Sequence, residues 1–119
     1  MTLTKQFLLD RFSDLDQEIF SLILLDNQHR FIDFHELNKG TIHTASVYPR
    51  EVVKIVLNKS AASVMLVHNH PSGLCEPSHE DRIITQRLIK ILNMIDIQVL
   101  DYLVIGDQEI TSFAEKGWI

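Results

Sequence analysis

The sequence predicts an α/β domain, a mixed β-sheet flanked by helices. Short apolar runs rich in β-branched residues recur at 19–25, 63–67 and 97–105. Segments with apolar residues at helical spacing occupy 49–58 and the stretch from 78 onward. The two kinds alternate as strands, helix, strand, helix, strands, an order that packs helices on a mixed sheet. With 119 residues, 45% of them hydrophobic, the chain is long enough for one core and too short for two ordinary domains.

Residues 1–15 read as an N-terminal helix or linker, with Leu3, Phe7, Leu8 and Phe12 at helical spacing. The domain proper is expected over 16–119. It opens with a buried strand at 19–25, a turn at Asp26-Asn27-Gln28-His29-Arg30 and a return strand over 31–37. After the turn Asn38-Lys39-Gly40, residues 41–47 are β-rich and read as a third strand. Pro49 suits the first turn of a helix whose Val52, Val53, Val56 and Leu57 share a face, ending near Asn58. The run Ser63-Val64-Met65-Leu66-Val67 has no polar alternation and suits a central strand buried on both faces. From Ser78 a helix presents Ile83, Ile84, Leu88, Ile91, Leu92 and Ile95. Strands at 97–105 and 110–113, joined through Gly106-Asp107-Gln108, complete the sheet.

Eleven basic against sixteen acidic residues give a net charge of -5, which repels a phosphate backbone and disfavours direct nucleic-acid binding. The single cysteine, Cys75, has no internal disulfide partner and fits a reducing, cytoplasmic location. The longest apolar stretch, residues 19–25, is far below the roughly 20 residues that cross a bilayer. The first eighteen residues carry acids and lack the apolar run of a signal peptide, so neither membrane nor export is expected.

Chemistry concentrates after the central strand. His68 and His70, one residue apart at an extended strand end, project from the same side. Asp81 follows eleven residues after His70, across a Pro-containing loop and within the first turn of the next helix. Two imidazoles and a carboxylate match zinc, and three protein ligands leave a fourth position for water, as in catalytic zinc sites. Locally, Ser78 and Asp81 also form an S-x-x-D capping pattern that explains both residues without a metal.

Together, His68-Asn69-His70-Pro71-Ser72-Gly73, Pro77-Ser78 and Asp81 resemble the JAMM signature, H-x-H-P followed by S-x-x-D, of the JAB/MPN metalloproteases. The asparagine between the histidines and the Ser-Gly after the proline are similar to the RadC (UPF0758) family, historically labelled DNA repair proteins. The likeness extends to Gly40-Thr41-Ile42, to Val47-Tyr48-Pro49-Arg50-Glu51-Val52-Val53, to Leu100-Asp101 and to Ser112-Phe113-Ala114-Glu115. It implies the JAB/MPN three-layer, cytidine-deaminase-like architecture, with His68, His70 and Asp81 as ligands of a Zn2+ ion and Ser78 as a hydrogen-bond donor to the oxyanion or water. It also implies a glutamate that shuttles a proton. Glu18, in the E-x-F before the first strand, matches that segment, whereas spacing alone does not separate it from Glu36, Glu51 or Glu80.

Two departures stand out. Asp101-Tyr102 replaces the family's usual Asp-His, and the helix-hairpin-helix region of longer members has no counterpart, so the chain resembles the short, stand-alone members. The function so implied is JAMM-type hydrolysis of a peptide or isopeptide bond in an unidentified protein or peptide substrate. The alternative is a non-catalytic interaction module or a DNA-repair accessory protein, since fold does not fix function. A zinc deaminase is excluded by the lack of H-x-E followed by P-C-x-x-C.

Overall fold

Seven consecutive positions, Ile19–Leu25, are buried without exception, and so are the seven of Ser63–Asn69. Strands with no exposed face must lie inside a sheet covered on both sides, and these two pair with each other at its centre. The computed structural model describes residues 2–12, 16–40, 47–73 and 76–119, with backbone alone for 2–4. Its elements are α1 (Thr2–Phe12), β1 (Ile19–Leu25), β2 (Phe31–Lys39), α2 (Pro49–Asn58), β3 (Ser63–Asn69), α3 (His79–Asn93), β4 (Gln98–Ile105) and β5 (Ile110–Ser112). Among the described residues the strands form one sheet in the order β2-β1-β3-β4-β5. Only β3 and β4 run parallel, joined by the α3 crossover; the other neighbours are antiparallel.

The period-2 alternation of the strands sorts the core into two faces. Phe20, Leu22, Leu24, Val64, Leu66, Tyr102 and Val104 meet Val52 and Val56 of α2 and Ile84, Leu88 and Leu92 of α3. Ile19, Ile23, Leu25, Met65, Val67, Leu103 and Ile105 meet Leu8 and Phe12 of α1. The result is a three-layer mixed α/β domain. His68 shares strand parity with Val64 and Leu66, so it faces α3.

Most element positions match expectation, with local differences. The β1–β2 hairpin turns through Asp26, whose Oδ1 accepts from the backbone of Gln28 (2.8 Å) and Arg30 (2.9 Å), and β2 runs two residues past 37. Helix α2 ends at Asn58 as predicted. Helix α3 stops at Asn93, so Ile95 lies in the following turn and is 38% exposed. Phe113 is buried but lies beyond β5, its N–H donating to the Tyr102 carbonyl at 3.0 Å. Of the apolar α1 residues, Leu8 and Phe12 are buried, while Phe7 is 45% exposed and packs edge-on against Phe34. The strand expected over 41–47 lies outside the described residues except for Val47, which is buried, and Cys75 lies outside them as well.

Candidate metal centre

The β3 backbone delivers the two histidines. His68 is held on both sides, opposite Phe20 of β1 and Val104 of β4. His70 is just past the strand end, yet its N–H donates to the Ile105 carbonyl at 2.8 Å, so the ladder with β4 still fixes it. The turn that follows closes tightly: Gly73 N–H donates to the His70 carbonyl (2.9 Å), and Asp107 N–H to the Gly73 carbonyl (2.9 Å). Gly73 sits at φ +88°, a backbone conformation that strains any L side chain, and a β-carbon there would lie a tight 3.3 Å from Asp107 Cβ. The two imidazoles meet edge to face with ring centroids 4.9 Å apart.

Helix α3 delivers the carboxylate. Ser78 is its N-cap: its hydroxyl accepts from the Asp81 N–H at 3.1 Å, and Asp81 Oδ2 accepts from the Ser78 N–H at 2.8 Å and its hydroxyl at 2.9 Å. This reciprocal capping box turns the fully buried Asp81 inward toward β3. There Oδ1 lies 2.6 Å from His68 Nδ1 and Oδ2 lies 3.2 Å from His70 Nε2. The capping reading and the metal reading of S-x-x-D therefore describe one geometry, because the cap aims the carboxylate.

One ligand atom from each of His68, His70 and Asp81 falls within 4.8 Å of the others, close enough to close on a single cation. Burial alone pushes the Asp81 carboxyl up. Its bonds to His68 and His70, the His68 charge and the Tyr102 hydroxyl outweigh that and hold it well below the usual carboxylate range. The anionic form that a metal requires is thus the stable one.

The Tyr102 hydroxyl donates to Asp81 Oδ1 at 2.6 Å and lies 3.4 Å from His68 Nδ1. Burial, then the Asp81 charge and hydrogen bond, then Glu18 keep this phenol protonated well above its ordinary range. It is a permanent neutral donor at the position where the family resemblance led to the expectation of histidine. The sequence marked this substitution but not its contact, since Tyr102 and Asp81 meet only once β4 is registered beside β3.

Glu18 precedes β1 and is half-buried, its Oε2 3.3 Å from His68 Nε2. Glu36 and Glu51 are on the surface, paired with Arg11 and Lys39 and with Arg50 and Lys54 respectively. Glu80 shares the cleft with Glu18, His68, His70 and Ser78, a cavity of about 690 Å³ also lined by Gly40 and Ser72. Four of the five residues anticipated from the sequence, Glu18, His68, His70 and Ser78, line this opening, and the fifth, Asp81, is buried behind it against both histidines.

A family model described as "RadC-like JAB domain" matches residues 2–118. The chain belongs to the RadC-like JAB domain family. UPF0758 proteins of Shewanella pealeana and Shewanella halifaxensis are each 57% identical to it over 117 residues, covering 98% of this chain and 52% of theirs. The UPF0758 protein of Shewanella frigidimarina shows the same identity and coverage. The RadC-like JAB domain thus spans about half the length of these curated relatives. No helix among its described residues is long and apolar enough to cross a membrane.

Proposed function

We propose that this RadC-like JAB domain is a zinc-dependent hydrolase of peptide or isopeptide bonds. The observation that carries the reading is the convergence of His68, His70 and Asp81 on one point, with Glu18 beside them at the mouth of an open cleft. Two imidazoles and a carboxylate are a donor set that zinc accepts, and the cleft side remains open for water or substrate. Zinc would supply Lewis acidity, polarising a carbonyl and lowering the pKa of bound water to about 7.

The chain's own groups do the rest. His68, His70 and Asp81 would hold the ion, with the α3 cap fixing the carboxylate. Glu18 would take the proton of the attacking water and pass it to the leaving amine. The Ser78 hydroxyl, at the cleft wall, would release its 2.9 Å bond to Asp81 Oδ2, which keeps the Ser78 N–H, and turn to donate to the developing oxyanion, a role worth about 2.7 to 4 kcal/mol in other hydrolases. The net charge of -5 and the chemistry of the cleft support a protein or peptide substrate over direct nucleic-acid binding, and the single cysteine supports a cytosolic setting.

Metal content of the purified protein tests the site. About one zinc per chain is expected in the wild type and none in a His70→Ala, Asp81→Ala double variant. Glu18→Gln should retain the zinc while abolishing turnover of any peptide substrate found by library screening. No zinc in the wild type after add-back would overturn the reading and leave the interaction module in its place.

A further inference from the structure

Asn69, between the two histidines, is 1% exposed, and its carboxamide makes two bonds to the segment before β1. Oδ1 accepts from the Ile19 N–H at 2.7 Å, and Nδ2 donates to the Gln17 carbonyl at 2.9 Å. Those two backbone groups flank Glu18. The amide orientation is unambiguous, because an N–H can only donate and a carbonyl can only accept.

The placement follows from register. Residue pairing between β1 and β3 stops at Phe20 opposite His68. One step further along, the Asn69 side chain stands in for the missing strand and prolongs the ladder past Ile19 to Gln17. The Glu18 carbonyl in turn accepts from the Gly40 N–H at 2.9 Å. The backbone of Glu18 is therefore held on both sides and from behind, while its carboxylate reaches His68 Nε2. No other side chain of this size offers a donor and an acceptor in the same neutral planar group: aspartate would set an acceptor against the Gln17 carbonyl, and leucine would leave both backbone groups unpaired.

We propose that Asn69 is the positioning residue for Glu18, tying the proton-accepting segment to the strand that carries the metal ligands. This rests on the role given to Glu18 above. One strand end then supplies two ligands, and the residue between them sets where the base stands.

The test uses the full chain loaded with cobalt(II), whose visible absorption follows ionisation of the coordinated water. It is titrated against pH in the wild type, Glu18→Gln, Asn69→Ser and the double variant, with bound cobalt measured in each. All four should bind about one cobalt, because His68, His70 and Asp81 are untouched. A carboxylate beside a developing hydroxide raises the midpoint, so Glu18→Gln should lower it by about 0.5 pH unit or more. Asn69→Ser should move it the same way, and the double variant no further than Glu18→Gln alone, as for a residue acting only through Glu18.

An Asn69→Ser midpoint equal to the wild type's, additive shifts in the double variant, or loss of cobalt from Asn69→Ser would each overturn the proposal and leave the Glu18 role standing. An unmoved midpoint in Glu18→Gln would instead overturn the proposed function, and this inference with it. If Asn69→Ser does not fold, the wild type decides by NMR: slow exchange of the Ile19 N–H and the Asn69 side-chain amide protons supports the two bonds, and fast exchange of both overturns them.

Discussion

At the scale of single residues, Asp81 shows how a buried charge is made tolerable. Its carboxylate is fully buried, yet both oxygens accept from protein donors: Ser78 at one, Tyr102 at the other, with an imidazole against each. Removing one donor leaves the rest of the charge under-solvated. Tyr102→Phe deletes the 2.6 Å bond and should cost about 1.5 to 3 kcal/mol in the metal-free protein, the range for a hydrogen bond to a charged group. The pH dependence has a definite sign. Asp81's folded pKa is depressed, so its stabilisation is complete above its unfolded value of about 3.9 and is lost as pH falls below that. Because the Tyr102 hydroxyl is one cause of the depression, Tyr102→Phe should lose less stability on acidification than the wild type does. Urea melts of both metal-free proteins at neutral pH check the cost, and a series carried into strongly acid solution checks the sign: the two losses run parallel just below the unfolded pKa and diverge only as the folded carboxyl itself titrates. Equal stability at neutral pH would show that Tyr102 does not stabilise the Asp81 anion. The position was legible in the sequence as a departure from the family's Asp-His. Its role was not, because the contact spans 21 residues and depends on strand register.

At the scale of elements, the α3 N-terminus carries two duties in one motif. As a cap, Ser78 satisfies the Asp81 N–H; as a cleft residue, it presents the hydroxyl that the proposed function assigns to the oxyanion. Substitutions can separate the two. Ser78→Ala should destabilise the fold by about 0.5 to 2 kcal/mol and also lower turnover by about 10²- to 10³-fold. Ser78→Asn, an equally good cap, should recover most of the stability and little of the turnover, measured by thermal melts beside the peptide assay. Recovery of both would reduce Ser78 to a cap. The same helix marks how far sequence reading reaches. Its start was legible because S-x-x-D announces a cap, whereas its end was not: Ile95 continues the apolar periodicity after the backbone has turned away at Asn93. Phe113 differs: it is buried one residue past its strand, so there burial outlasts the strand, whereas at Ile95 the apolar pattern runs on to a residue that is 38% exposed. The strand β1 was the most legible, its apolar run interrupted only by Ser21 and bounded by polar residues, whereas β3 runs two residues past the expected Val67 and takes in His68 and Asn69.

Across the whole molecule, the site joins three separate parts of the chain: the segment before β1, the end of β3 and the start of α3. His68 and Asp81 are 13 residues apart and His68 and Glu18 are 50 apart, so spacing exposed the first pair while only the family likeness singled out Glu18. A cation held by His68, His70 and Asp81 ties β3 to α3 in the folded state and has no preformed counterpart in the unfolded chain. Binding free energy is then folding free energy, RT ln(1 + [L]/Kd), or about 4 kcal/mol at a free metal concentration of about 1,000 times Kd. For a domain of 119 residues, each kcal/mol moves the Tm by several degrees, on the order of 3 to 6 °C. Chelation should therefore lower the Tm of the wild type by on the order of 10 °C or more, and zinc add-back should restore it. The His70→Ala, Asp81→Ala protein should melt at the same temperature with zinc or chelator. Scanning calorimetry across a zinc series distinguishes this from nonspecific stabilisation, since only linkage through one site makes the Tm rise with the logarithm of free zinc and vanish with the ligands. A wild-type Tm indifferent to chelator in a protein that carries zinc would mean that the ion is bound without holding β3 to α3, contrary to the geometry of His68 and Asp81.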